Sequence, residues 1–398
     1  MENALFFHSQ NPLGKNQSRY TSLVSSAITG AGSAEAPRES DKTAPYPWII
    51  SPFFDLAFVC GGGVLFFLVI NYLYLGWQVP MSVTSDPASW WLMTTGFLAQ
   101  HIFADSHNSA TYLRIWGSPE DQARFKFHRT WLAYSTVPMF ILGLSVPGMV
   151  GTFVYIYLIT VFWHYTAQTF GISLIYCYKR GYIMSQMEKE IFRWFMFSMV
   201  GFVSVRSFCF KEFSPSNFFG VDIPFWGPWP IVFYNIARFL FIGMTVLFVC
   251  MLVRKYFKEN KIFPWQSLML VLTVAGLGLS RDMANAMFWF FVPGFFHGSQ
   301  YLAVCLSYYL KERGMPNGMN SWDISKVALG APGLKYLGLV VLSGVFFYVG
   351  IPHFFMQIGF NYSLVGGLVL ACVNYHHFIT DAAIWRLRDP RCRKYLIA

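Results

Sequence analysis

Beyond Pro47-Trp48 the sequence is a succession of apolar stretches, and this constrains the fold more than any other feature. A helix needs roughly 20 residues to cross the hydrocarbon core of a bilayer. About ten stretches approach that length, at approximately 53–76, 89–112, 131–148, 150–178, 191–210, 229–253, 264–280, 283–310, 335–356 and 362–385. Pro147-Gly148 and Gly151 mark the turn between the third and fourth. Charge is too scarce for the alternative: 12% of residues are Asp, Glu, Lys or Arg, against about 25% in a soluble domain. A cytosolic enzyme, a secreted disulfide scaffold and a nucleic-acid-binding domain are all disfavoured. The expected fold is an all-α, polytopic transmembrane bundle over 47–388, after a disordered polar tail at 1–46 and before a basic tail at 389–398.

The net charge of +10 is placed by the loops. Segments 113–130, 179–190, 254–263, 311–334 and the C-terminus carry clusters of Lys and Arg, whereas 77–88 and 357–361 have none and 211–228 has only Lys211. This alternation fits ten spans with both termini in the cytoplasm. Nothing resembles a cleaved signal peptide, and a multi-pass protein of a bacterial inner membrane is expected. Trp90-Trp91, Trp226 and Trp229 read as interfacial residues. The seven cysteines are scattered, with no C-x-x-C pair, so they read as reduced packing residues. Gly61-Gly62-Gly63 reads as a kink or close-packing feature.

Ionisable groups inside a membrane span are costly and mark functional sites. Seven of the nine histidines fall in the proposed spans; His8 and His128 do not. The second span carries His101, Asp105, His107 and Asn108, of which His101, Asp105 and Asn108 share a face. The fourth carries His164 with Gln168 one turn later, and the eighth carries His297, Gln300 and Tyr301. The tenth carries Asn374, His376, His377 and Asp381. By the proposed topology these four spans run in the same direction and hold their histidines at similar depth. Imidazoles and carboxylates fixed on rigid helices are what a buried metal site requires. His101, Asp105, His107, His164, His297, His376, His377 and Asp381 are therefore the candidate ligands, with Gln168, Gln300 and Asn374 as groups that orient them. His353 has no such polar neighbour and is read as structural. The imidazole-rich set suits iron, zinc or copper, and its size allows two ions.

The His101–His107 stretch and the His376-His377 pair resemble the histidine boxes of membrane-bound non-haem iron enzymes, the desaturases, hydroxylases and carotene-cleaving dioxygenases. Asp105 stands where a desaturase has His, and Val373 replaces the first His of an H-x-x-H-H box. Phe162–Gly171, His297–Tyr301 and His377–Arg386 are also similar to segments of uncharacterised bacterial integral-membrane proteins. The resemblance to the iron enzymes implies one or two irons, dioxygen chemistry on a lipid-soluble substrate, and a separate electron donor. No Walker A or G-x-G-x-x-G motif provides a nucleotide site, and no nucleic-acid partner is expected. Two other readings use the same residues: a divalent-cation or proton transporter, and a bis-histidine haem protein.

Overall fold

A computed structural model describes residues 46–75, 94, 96–279, 287–313 and 321–397. Nearly all of the polar N-terminal tail, Trp90-Trp91, loop 77–88 and the 281–282 link lie outside the described residues. The architecture is all-α. Its helices are α1 (Gly62–Leu75), α2 (Ser106–Trp116), α3 (Pro119–Arg124), α4 (Ala133–Ser145), α5 (Gly148–Lys179), α6 (Gln186–Cys209) and α7 (Ile231–Glu259). They continue with α8 (Trp265–Leu279), α9 (Met287–Glu312), α10 (Ser321–Leu329), α11 (Ala331–Val345), α12 (Ile351–Gln357), α13 (Tyr362–Ile384) and α14 (Pro390–Leu396). A two-residue hairpin pairs Asn217 with Asp222 and Phe218 with Val221. Its turn places Phe219 and Gly220 at positive φ, as a tight hairpin requires.

Local chemistry sets the helix ends. Pro147 stands just ahead of α5 and separates it from α4, so the 131–178 stretch does divide where its Pro-Gly signal predicts. Ser185 and Glu188 form a capping box that starts α6. Asn260, in the left-handed region, ends α7. Asn361 caps α13 by accepting from Leu364 N at 3.0 Å. Gly61, at φ +93°, separates a π-helical turn (Asp55–Val59) from α1, and a side chain there would run into Thr273. The glycine run is thus a break in the first apolar stretch. Further π-helical turns lie at Gln100–Asp105, His128–Leu132 and Phe346–Gly350.

Five of the helical segments described are long and apolar enough to cross a membrane: Gly148–Lys179, Gln186–Cys209, Ile231–Glu259, Ala331–Gln357 and Tyr362–Ile384. They coincide with five of the ten apolar stretches. The outer face of α7 exposes Phe239, Leu240, Val246, Leu247, Val249 and Val253 together, a patch a water-soluble monomer rarely shows. Its inner face stacks on α6, with Phe195 and Phe248 rings 4.6 Å apart and nearly parallel.

Charged segments meet in two groups of ion pairs. Arg391 of α14 contacts Glu312 at 2.5 Å and Asp121 at 3.2 Å, and Arg114 contacts Asp121 at 2.5 Å. Lys255 reaches Glu188 at 3.1 Å. Residues 390–396 are therefore a docked helix, with Cys392 and Leu396 buried beneath it. Asp389 caps this helix through Arg391 N and pairs with Arg124. Burial opposes its charge, but those two partners hold its carboxyl below the ordinary value. All seven cysteines are free, and all but Cys250 are buried or nearly so.

Candidate metal centre

Four helices from distant parts of the chain, α2, α5, α9 and α13, each bring one imidazole to a common point. His107, His164, His297 and His377 hold candidate ligand atoms within 4.8 Å of one another. The Nε2 atom of His107 lies 3.1 Å from that of His377 and 3.1 Å from that of His297, and His377 Nε2 lies 3.2 Å from His164 Nε2. Nitrogens bound about 2.0–2.1 Å from a single ion are separated by roughly 2.9–3.4 Å, from right-angle to tetrahedral spacing. The observed edges fall in that interval.

The rings form a closed circuit. Centroid distances are 4.6 Å for His107–His297, 4.8 Å for His297–His164, 4.9 Å for His164–His377 and 4.6 Å for His377–His107. The His297–His377 distance is 6.5 Å, in the proportion of a square's diagonal to its side rather than the equal edges of a tetrahedron. Tyr165 stacks on His297 at 4.2 Å and Phe378 on His164 at 4.3 Å, which fixes two ring planes.

Hydrogen bonding at the far side of two rings decides the tautomer. His107 Nδ1 donates to the Ala104 carbonyl. Thr111 Oγ1 donates to Asp381 Oδ1 at 3.0 Å, so it accepts from His377 Nδ1 at 2.7 Å. Both imidazoles then present a bare Nε2 to the centre, and these two nitrogens are 3.1 Å apart. Facing lone pairs at that distance repel; a cation held between them turns the same contact into ligation. The four-histidine group could therefore hold a metal ion. Asp381 adds a carboxylate oxygen 3.5 Å from His377 Nε2 and 3.7 Å from His164 Nε2. Its other oxygen accepts from Tyr301 Oη at 2.6 Å, and Trp385 Nε1 donates to that same hydroxyl at 2.9 Å.

The remaining sequence candidates lie elsewhere. His101 Nδ1 contacts Asp105 at 2.6 Å, and Gln100 donates to the second oxygen of Asp105 at 2.9 Å. That pair lies on a different face of the helical segment 100–116 from His107. The face that joins the other three histidines is that of His107 and Thr111, one turn apart; Asn108 instead donates to Tyr348 Oη. His376, one residue before His377, is buried but turned away from the centre; it donates to His128 O at 2.7 Å and stacks on Tyr112. Gln168 donates to His297 O and to Gln300, Gln300 donates to Val59 O, and Asn374 donates to Tyr348 and Leu370. These amides tie helices together rather than orient imidazoles. His353 donates to Val349 O at an exposed position. Thr111 and Trp385 were not foreseen. A shared signal precedes them in the sequence: each of the four converging histidines has a polar residue one turn later, Thr111, Gln168, Tyr301 and Asp381.

A cavity of about 570 Å³ adjoins the centre. His164, Tyr301 and Asp381 reach its wall, which is otherwise built largely from Phe153, Phe197, Phe378 and other apolar side chains. Its lining includes Ile156, Tyr375 and Ile379, which are exposed on the apolar outer surface.

No protein-family model matches this chain, and no curated protein or solved structure matches it either.

Proposed function

We propose that this chain is an integral-membrane, metal-dependent oxidoreductase, a hydroxylase, desaturase or dioxygenase, acting on a lipid-soluble substrate. The observation that carries this reading is the convergence of four Nε2 atoms beside a large apolar cavity that reaches the outer, apolar surface. His107, His164, His297 and His377 would hold one iron ion, and Asp381 stands close enough to complete or modulate the set. When bound, the iron supplies redox and dioxygen chemistry. The protein supplies burial, fixed tautomers and a carboxylate at the cavity wall that can take or return a proton. The cavity supplies lateral access, because a lipid-soluble molecule reaches its rim without leaving the bilayer. A haem is disfavoured by the ring circuit itself: four imidazoles occupy the positions that porphyrin nitrogens would need. A transport path would need polar groups continuing across the membrane, and the cavity wall is mainly aromatic and aliphatic.

Metal analysis and an optical spectrum of the detergent-purified protein test the reading. About one iron per chain and no Soret band are expected. Iron should be lost in His297→Ala and His377→Ala and kept in His101→Ala and His376→Ala, whose parent side chains face away. Full iron retention in both of the first pair, or an iron-free wild type after growth with ample iron, rejects it. Oxygen uptake with fatty-acyl, polyprenoid and carotenoid substrates then separates the reaction types. The ten-span arrangement with both termini inside a bacterial inner membrane is supported by the alternation of basic loops in the sequence and by ion pairs that join segments 113–130, 311–334 and the C-terminus, and segments 179–190 and 254–263. Single-cysteine labelling from each side of the membrane, at residue 120 and at residue 217, checks it: the two positions should label from opposite sides.

A further inference from the structure

We propose that the substrate of the four-histidine centre is a long, linear, uncharged hydrocarbon that lies along α5 and presents its middle, rather than an end, to the centre. This rests on the oxidoreductase reading and names the substrate class of that same site. The shape of the cavity is the ground for it. Each turn of α5 from Phe153 to Ile175 gives a residue to the cavity wall, among them Ile156, Thr160, His164 and Gly171. Phe153 and Ile175 are 22 positions apart, which is about 33 Å along a helix. His164 stands 11 positions from either limit, so the centre meets the cavity at its midpoint. On the facing side α13 lines the same space from Ala371 to Ala382. A volume of about 570 Å³ drawn out over that length is a furrow rather than a chamber.

Length and charge then select the occupant. The hydrocarbon core of a bilayer is about 30 Å thick, and one acyl tail covers roughly half of it. A single tail would fill one arm of the furrow and stop at the centre, whereas a chain of twice that length fills both arms and passes it. No headgroup finds a partner inside. Among the described wall residues there is no Lys or Arg, and the imidazole and carboxylate belong to the middle, His164 and Asp381. A carboxylate or phosphate enclosed here would be buried without a counterion. The arms end on apolar side chains, Met139 and Phe153 at one limit and Leu387 and Leu396 at the other. Leu396 belongs to the docked α14 and is buried, which closes that limit. Entry is from the side: Trp163 and Ile379, close in the chain to His164 and His377, are exposed and line the rim. A chain therefore slides in from the bilayer at the level of the centre and need not thread through an end.

Photoaffinity labelling tests the placement without turnover. The full chain in phosphatidylcholine nanodiscs receives a linear saturated hydrocarbon about 33 Å long when extended, with one diazirine either at its middle or beside one end. Labelled residues are read by peptide mass spectrometry after illumination. The middle probe should label 160–168 and 378–382, and the end probe 153–157 and 172–175. Excess unlabelled hydrocarbon should suppress both patterns, and a fatty acid of half the length should not. Gly171→Leu obstructs the arm toward α14 about 10 Å from His164 and should lose the 172–175 label. End-probe labelling concentrated at 160–168 overturns the proposal, because a chain end then sits at the centre. Stronger suppression by the fatty acid overturns it too, as does a 172–175 label retained in Gly171→Leu or labelling of the outer face of α7 that excess hydrocarbon does not displace. An iron-free wild type rejects the oxidoreductase reading and with it the hydrocarbon's role as substrate; the labels, which do not depend on iron, separate that failure from a failure of the placement.

Discussion

Thr111 joins two groups of the centre that are 270 residues apart from it or nearly so in the chain. Its hydroxyl accepts from His377 Nδ1 at 2.7 Å and donates to Asp381 at 3.0 Å. Removing it leaves the His377 N–H without a partner in a buried site, while Tyr301 still satisfies Asp381. Thr111→Val keeps the shape and removes only the hydroxyl. Loss of a group that orients a ligating histidine lowers metal affinity by about 10–100-fold, and that is the expected effect of Thr111→Val. Thr111→Ser should stay close to wild type. Competition against a chelator of known affinity measures both. Equal affinities in Val and Ser variants would show that the hydroxyl does not orient the ring.

At the scale of elements, glycine decides how closely the segment 100–116 approaches its neighbours. A methyl group at Gly298 of α9 would strike the Phe103 carbonyl and come within 2.9 Å of Ala104 Cα, in the π-helical turn before α2. From the other side, one at Gly344 of α11 would come within 2.7 Å of Ser106 Cα. The two helices therefore clamp the segment that aims His107. Backbone atoms cannot swing aside as a flexible side chain can, so Gly298→Ala and Gly344→Ala should each cost on the order of 1–3 kcal/mol by overpacking. Both should lower the melting temperature in detergent and loosen the metal. Gly338→Ala, also on α11 but with open space around it, should do neither. This clamp also shows why the site was only partly legible in the sequence. Depth is readable: histidine spacing from the basic loops sets His101, His164, His297 and His377 at comparable levels, and the structure brings His107 to the last three in place of His101. Helix rotation is not, because a span apolar around most of its surface carries little sign of which face turns inward. The choice between His101 and His107 rests on two glycines far along the chain and on a π-helical turn that a 3.6-residue period does not reveal. Thr111 and Trp385 escaped for a related reason, since their partners lie on other helices.

For the whole molecule, a buried polar centre stands beside a cavity whose wall reaches the apolar exterior. The centre is closed by stacked rings, Tyr165 on His297 and Phe378 on His164, while the cavity beside it meets the apolar exterior near Ile156 and Ile379. Gly171 of α5 lines this cavity, and an added Cβ there meets no atom within 4 Å. A larger side chain at this position projects into open space and need not disturb packing. Gly171→Leu should therefore fill part of the cavity while leaving iron content and melting temperature unchanged. In the oxidoreductase reading, turnover of a lipid-soluble substrate then falls through weaker binding, with KM rising more than kcat falls. The decisive comparison sets metal content against turnover in one preparation. Iron retained with turnover lost places the substrate in this cavity, whereas wild-type kinetics in an iron-replete Gly171→Leu protein would show that the substrate reaches the centre by another way.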